Sequence, residues 1–158
     1  MNTEHESLAG QFLIVQLAER RLGIPLLRIA DIYPLREVAP VLQAPDYTSG
    51  FMTVQGRTMP LADLRANFGL KCGLSITTRV VVVWLNLAEW QNSPIGLIVD
   101  GVDRVVTVNS TEIESAKPPA TGATKAFLLG IARQPGGVLQ LVDVDRLFDA
   151  SPLRHATG

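Results

Sequence analysis

The chain is poor in the side chains that most enzymes and nucleic-acid binders depend on. Its two histidines, His5 and His155, lie close to the two ends, which leaves the body of the chain without an imidazole to act as base or metal ligand. The one cysteine, Cys72, permits no intrachain disulfide and points to a reducing compartment. Placed between Lys71 and Gly73, with no histidine nearby in sequence, it reads as an incidental loop cysteine. Lysine and arginine number 14 against 15 aspartates and glutamates, without a basic cluster. The electrostatic footprint of a nucleic-acid or anionic-membrane binder is therefore missing. The longest apolar run, 80–87, falls far short of the roughly 20 residues a membrane helix needs. Residues 1–10 are polar and acidic and lack the basic start and apolar stretch of a signal peptide. A cytoplasmic protein that does not insert into a membrane is the expectation.

Catalytic candidates are few. Asp100 with Asp103 is the best carboxylate pair, but a loop position accounts for it, and Asp63 and Asp143 are each explained as helix caps. Gly136-Gly137 follows a proline in a hairpin and does not open a helix, so it is no phosphate loop. No catalytic residue, metal or cofactor is expected.

What the chain does have is a repeated pattern. Gly50, Gly56, Leu61, Asp63 and Phe68 recur eighty positions later as Gly130, Gly136, Leu141, Asp143 and Phe148, without a gap. Earlier in each copy, Leu17-Ala18-Glu19 matches Leu87-Ala88-Glu89, and Gly23-Ile24-Pro25-Leu26 matches Gly96-Leu97-Ile98-Val99. Several weak matches kept in one order indicate a duplicated module.

Short runs rich in β-branched or large apolar residues, at 12–17, 22–27, 50–54, 58–61, 80–87, 95–99, 104–108, 128–132 and 138–142, predict an all-β protein. Gln55-Gly56-Arg57 and Pro135-Gly136-Gly137 place glycine between strands where a hairpin often needs φ > 0. Short helices should follow, at 63–69 with Asp63 as N-cap and Gly69 as stop, and at 143–148. A unit of about 70 residues with about five short strands hides its sheet edges best as a small closed barrel. Two barrels sharing an apolar interface are therefore expected, the first over about 21–75 and the second over about 78–150, the latter joined by the N-terminal strand 11–18. Together they make one domain over 11–150, with tails at 1–10 and 151–158. Proline-bearing loops fall at 34–45 and 117–124. Trp84, inside an apolar run, reads as core. Trp90, in the polar segment 88–93, reads as packing somewhat ahead of partner contact.

The stretch Gly50-Phe51-Met52-Thr53-Val54-Gln55-Gly56-Arg57-Thr58-Met59-Pro60-Leu61-Ala62-Asp63-Leu64-Arg65 resembles the signature of the CheW family of chemotaxis coupling proteins, G-x-x-N-L-R-G-x-x-x-P-x-x-D-L-R. Leu22-Gly23-Ile24, the segment 29–32, Ile98-Val99-Asp100-Gly101-Val102 and Leu129-Gly130-Ile131 add matches in the right order, from about Phe12 to Phe148. The resemblance implies two five-stranded SH3-like barrels. It also implies a non-catalytic scaffold that bridges the cytoplasmic tips of methyl-accepting chemoreceptors to the regulatory domain of a CheA-type histidine kinase, recruited to membrane-associated arrays. Carried over by position, the receptor-facing residues would be Ile29, Asp31, Gly50, Gln55, Val99 and Val102, and the kinase-facing ones Val38, Leu42, Arg57 and Thr58. Ordinary barrel core is the competing reading for Ile29, Val99 and Val102, with nearly equal weight.

Two departures stand out. Thr53-Val54-Gln55 replaces asparagine-leucine-arginine, removing a planar multi-donor cation, and Asp31 replaces a glutamate. They suggest a paralogue serving a dedicated array, such as one for pili or development, with flagellar taxis an equal possibility. A small-barrel enzyme or nucleic-acid module using the cleft between barrels is the alternative class. It lacks aromatic platforms interleaved with basic residues and a convincing acid/base pair.

Overall fold

The computed structural model describes residues 10–34, 39–42, 50–67, 75–86, 93–114 and 128–149. Val38, Cys72, Trp90, both histidines, Gly69, both tails and the loop 117–124 lie outside them.

Twelve strands are formed among these residues: β1 (Gly10–Leu17), β2 (Arg20–Pro25), β3 (Ile29–Pro34), β4 (Ala39–Leu42), β5 (Gly50–Val54), β6 (Arg57–Asp63), β7 (Arg79–Leu85), β8 (Ser93–Val99), β9 (Gly101–Val108), β10 (Ile113–Glu114), β11 (Leu128–Gln134) and β12 (Gly137–Val142). Two short helices, α1 (Leu64–Asn67) and α2 (Val144–Asp149), follow the β5–β6 and β11–β12 hairpins. Asp63 Oδ1 accepts the Arg65 N–H at 3.0 Å, and Asp143 Oδ1 accepts the Asp145 and Arg146 N–H groups at 3.1 and 3.2 Å. Both carboxylates therefore satisfy amides that the first helical turn leaves unpaired. Strands β3, β4 and β10 carry no clear apolar run and were not visible in the sequence. The run at 22–27 stops as a strand at Pro25, because Leu26–Arg28 turns as a 3-10 helix.

The strands form two sheets of six, ordered β10-β11-β12-β2-β1-β9 and β3-β7-β8-β6-β5-β4, each the wall of an SH3-like barrel. The two orders are the same when β1 is read as β7, β2 as β8, β3 as β9, and β4–β6 as β10–β12. The repeat is thus a hairpin followed by four strands. Each hairpin, however, closes the other copy's barrel: β2 pairs parallel with β12, and β8 pairs parallel with β6. This corrects the expected barrel boundaries. Residues 79–99 belong to the first barrel's sheet, and both β1 and β2 to the second's. A strand that crosses to the neighbouring barrel keeps the same apolar run, so local pattern cannot reveal the exchange.

Register sets the equivalences. Leu61 stands opposite Gly96 and Leu141 opposite Gly23, which confirms the matched glycines. Gly23 faces Ile14 and Gly96 faces Val82, so the counterpart of Leu17 is Leu85, two residues before the expected Leu87.

Exchange explains why β1, β7 and β8 are apolar on both faces. Leu13, Val15 and Leu17, with Val81, Val83, Leu85, Ile95, Leu97 and Val99, form the core between the barrels. The alternate residues Val80, Val82 and Ile98 join Met52, Met59 and Leu61 inside the first barrel, while Phe12 and Ile14 join Leu139 and Leu141 inside the second.

The two equivalent hairpins turn differently. Gln55 (φ 52) and Gly56 (φ 76) are both left-handed, the form a tight two-residue hairpin requires. Pro135 cannot adopt positive φ, and the residue of positive φ in the second turn is Gly137 (φ 123).

Candidate functional site

The densest polar cluster joins the barrels. Arg65, 1% exposed, donates from Nε to Asp63 Oδ1 at 2.9 Å and from Nη2 to Asp63 Oδ2 at 2.7 Å. Its Nη1 donates to Asp100 Oδ1 at 3.0 Å, and Asp100 Oδ2 accepts the Ala18 N–H at 2.7 Å. Burial alone would lower the arginine's pKa, but the hydrogen bonds and charges of Asp63 and Asp100 outweigh it and raise the value, so the guanidinium is permanently charged. One side chain thus ties α1 to the β8–β9 turn and, through Asp100, to the β1–β2 turn.

The other half repeats this with the charges reversed. Asp145, on α2 at the position equivalent to Arg65, binds Arg28 of the β2–β3 linker and accepts the Asn86 N–H at 2.8 Å. Ala18 follows Leu17 and Asn86 follows Leu85, so both carboxylates cap the same turn of the hairpin. Asp103 lies beside Arg104 at 3.7 Å and does not share Asp100's partners. Among the described residues no group of three or more histidine, cysteine or acidic side chains is placed to hold a metal.

A concave feature opens at the end of the first barrel. A cavity of about 180 Å³ is walled by Asp31 and Tyr33 of β3, Gln55 and Arg57 of the β5–β6 hairpin, Met59, and Trp84 of β7. Strand alternation brings Asp31 and Tyr33 to one face of β3, and the left-handed turn presents Gln55. Asp31 Oδ2 accepts the Tyr33 hydroxyl at 2.7 Å, and Asp31 Oδ1 accepts the Ile32 N–H at 2.9 Å. The hydrogen bond to Asp31 raises the Tyr33 pKa, desolvation and the carboxylate's charge add to the rise, and Arg57 opposes it.

A raised tyrosine pKa stabilises the fold fully below the unfolded value and loses that contribution as pH climbs through the folded one. Asp31→Asn in a Tyr47→Phe background should bring Tyr33 back toward ordinary titration and move alkaline unfolding to lower pH. Phenolate absorbance during an alkaline titration checks this, and an unchanged midpoint contradicts it.

Trp84 is a correction: it is 37% exposed rather than core. It shares the β7 face of Val80 and Val82 but stands past the end of the barrel interior, over this cavity. Val99 is also corrected. At 0% exposure it belongs to the inter-barrel core and has no surface for a partner. Ile29 and Val102 occupy equivalent places, opposite Val83 and Val15, and are half-buried against that core. Asp31, Gln55 and Arg57 come together in the cavity. Thr58 is exposed beside it in sequence, its hydroxyl 3.0 Å from that of Thr53. Gly50 pairs with both Leu42 and Leu61 in the sheet, and the Leu42 side chain lies outside the described residues. The sequence reading missed Arg65 as a staple. The available signal was the D-L-R triplet, in which a cap and an arginine two residues on share one carboxylate.

These features define a twin SH3-like barrel module with exchanged hairpins and an ionic staple on each side. The CheW-like domain family matches residues 11–151. The chain belongs to that family. It is 28% identical over 148 residues to the chemotaxis protein CheW of Klebsiella aerogenes, covering 94% of this chain and 87% of that protein. It is 24% identical over 144 residues to the chemotaxis protein CheW of Treponema pallidum, covering 91% and 85%. The crystal structure of the scaffolding protein TtCheW from Thermoanaerobacter tengcongensis superposes with a TM-score of 0.74 at 25% identity, covering 89% of this chain and 93% of that one.

Proposed function

We propose that this protein is a non-catalytic scaffold coupling methyl-accepting chemoreceptors to the regulatory domain of a CheA-type histidine kinase, in a cytoplasmic array. Family membership over nearly the whole chain supports the scaffold role. The observation that carries the site assignment is the convergence of Asp31 of β3 with Gln55 and Arg57 of the β5–β6 hairpin, distant from it in sequence, in one exposed cavity. We assign Asp31 and Gln55 there to the receptor, together with Ile29, Val102 and Gly50, which lie outside the lining of this cavity. Val38, Leu42, Arg57 and Thr58 are assigned to the kinase side, Arg57 bordering both.

Asp63, Asp100, Asp143 and Asp145 cap helices or turns and pair with arginine, a use that fits a scaffold better than an active site. Gln55 in the left-handed turn supplies an amide where the family has arginine. A charge-assisted contact is worth about 1.5–3 kcal/mol against about 1 for a neutral one, enough to separate partners and suit a dedicated array such as one controlling pili.

Titration calorimetry against the kinase regulatory domain from the same organism should give micromolar or tighter binding, weakened about tenfold or more by Arg57→Asp, a loss of about 1.4 kcal/mol. Absence of binding to every such kinase would withdraw the coupling function. Gln55→Arg should shift preference toward receptors of the main taxis system.

A further inference from the structure

The internal repeat contains a control for its own surface. From the register, Trp84 corresponds to Gln16, two residues beyond the paired Val82 and Ile14. Leu27 corresponds to Asp100, two residues before the paired Ile29 and Val102. In the second half this spot holds two polar residues, and the Asp100 N–H donates to the Gln16 carbonyl at 3.0 Å. In the first half the Trp84 carbonyl is likewise satisfied, by Arg28 Nε at 3.0 Å. The backbone closure is thus met in both halves, and neither the indole nor the leucine is needed for it. Yet Leu27 is 96% exposed and Trp84 37%. Large apolar side chains at an exposed place where the sister copy is polar mark a contact surface.

Leu27, Arg28, Trp84, Leu85 and Asn86 line a groove of about 480 Å³. Arg28 is engaged by Asp145, which leaves the apolar side chains as the unmatched part of the groove. Trp84 also walls the cavity holding Asp31, Gln55 and Arg57, so one indole borders both concave surfaces.

We infer that this groove and the cavity adjoining it at Trp84 together receive a segment of the chemoreceptor tip, a large apolar side chain seating between Leu27 and Trp84 and a carboxylate reaching Arg57. The inference rests on the receptor assignment above and adds Trp84 and Leu27 as its specificity-determining anchors. At one end Arg57 faces a carboxylate, Asp31, that already accepts from the Tyr33 hydroxyl and the Ile32 N–H, and with apolar surface at the other end this favours an amphipathic acidic segment over a second copy of this chain.

The test uses the full chain carrying Trp90→Phe, which leaves Trp84 as the single tryptophan, titrated with a soluble cytoplasmic fragment of a chemoreceptor from the same organism. Binding should shift Trp84 emission to the blue and shield it from iodide. Trp84→Gln and Leu27→Asp install the residues of the sister copy and should fold normally by circular dichroism. Each should weaken receptor binding about tenfold or more while leaving affinity for the kinase regulatory domain within about twofold. Receptor binding at wild-type strength in both variants overturns the inference and leaves the coupling function standing, as does loss of kinase affinity to the same degree. An emission shift that follows protein concentration without receptor assigns the groove to a second copy and also overturns it. A wild-type chain that binds neither receptor nor kinase takes down the coupling function and the inference together.

Discussion

Arg65→Ala should destabilise the protein by about 3–5 kcal/mol, because it leaves a buried carboxylate without its counter-charge. Asp63 has a side chain 0% exposed, and Arg65 supplies both of its bidentate hydrogen bonds. Against a typical total stability of about 5–15 kcal/mol, the loss brings a marginal domain close to unfolding at ambient temperature. Urea denaturation checks this through the midpoint, with an unchanged slope showing that the compact states themselves are the same. Replacing both partners with apolar residues of similar volume, Asp63→Leu with Arg65→Met, should recover much of the loss, since two desolvation penalties disappear along with one attraction. Recovery will be incomplete, because Asp63 also accepts the Arg65 N–H at the start of α1 and Arg65 anchors Asp100. A single mutant within about 0.5 kcal/mol of wild type, the range of ordinary surface substitutions, would show that the network contributes nothing net.

The paired glycines of β2 and β8 should respond unequally to the same substitution. A Cβ on Gly96 would lie 2.6 Å from Met52 Sδ and 2.8 Å from Val80 Cγ1, whereas one on Gly23 would lie 3.1 and 3.2 Å from the Cδ2 atoms of Leu141 and Leu139. Gly96→Ala therefore overpacks the first barrel's interior and should cost about 1–3 kcal/mol. Gly23→Ala needs only a few tenths of an ångström from leucine methyls. It also gains about 0.4–1 kcal/mol from a less flexible unfolded chain, so it should stay near neutral. Thermal melts of the two variants decide the matter, and equal losses would mean that the two barrel interiors give way equally. The glycine follows from topology in both copies: this is where an exchanged strand lies parallel to β6 or β12 against a filled interior.

Much of this architecture can be read along the chain because the features are local or periodic. The hairpin turn at Gln55-Gly56 carries its own backbone requirement. Asp63 and Asp143 announce the helices they cap, and the eighty-residue repeat carries the β5–β6 pattern into β11–β12. The candidate cavity was legible only in part. Asp31, Gln55 and Arg57 were chosen by family position, but their convergence depends on β3 and the β5–β6 hairpin meeting across the end of the barrel. Trp84 was misread because an apolar run looks the same inside a barrel and at its rim, and Val99 because a half-buried groove and a full core share one residue type.

Duplication, all-β class and cap chemistry are therefore properties of the linear order, set by neighbours a few residues apart or by a repeat period. Which barrel each hairpin closes, why Arg65 is buried, and why Leu27 and Trp84 stand exposed are not. They are decided by pairings such as Arg65 with Asp100, Ala18 with Asp100 and Arg28 with Asp145, separated by 35, 82 and 117 positions. A pairing over such distances is chosen by which arrangement buries both faces of the exchanged strands and gives buried charges such as Asp63 and Arg65 their partners.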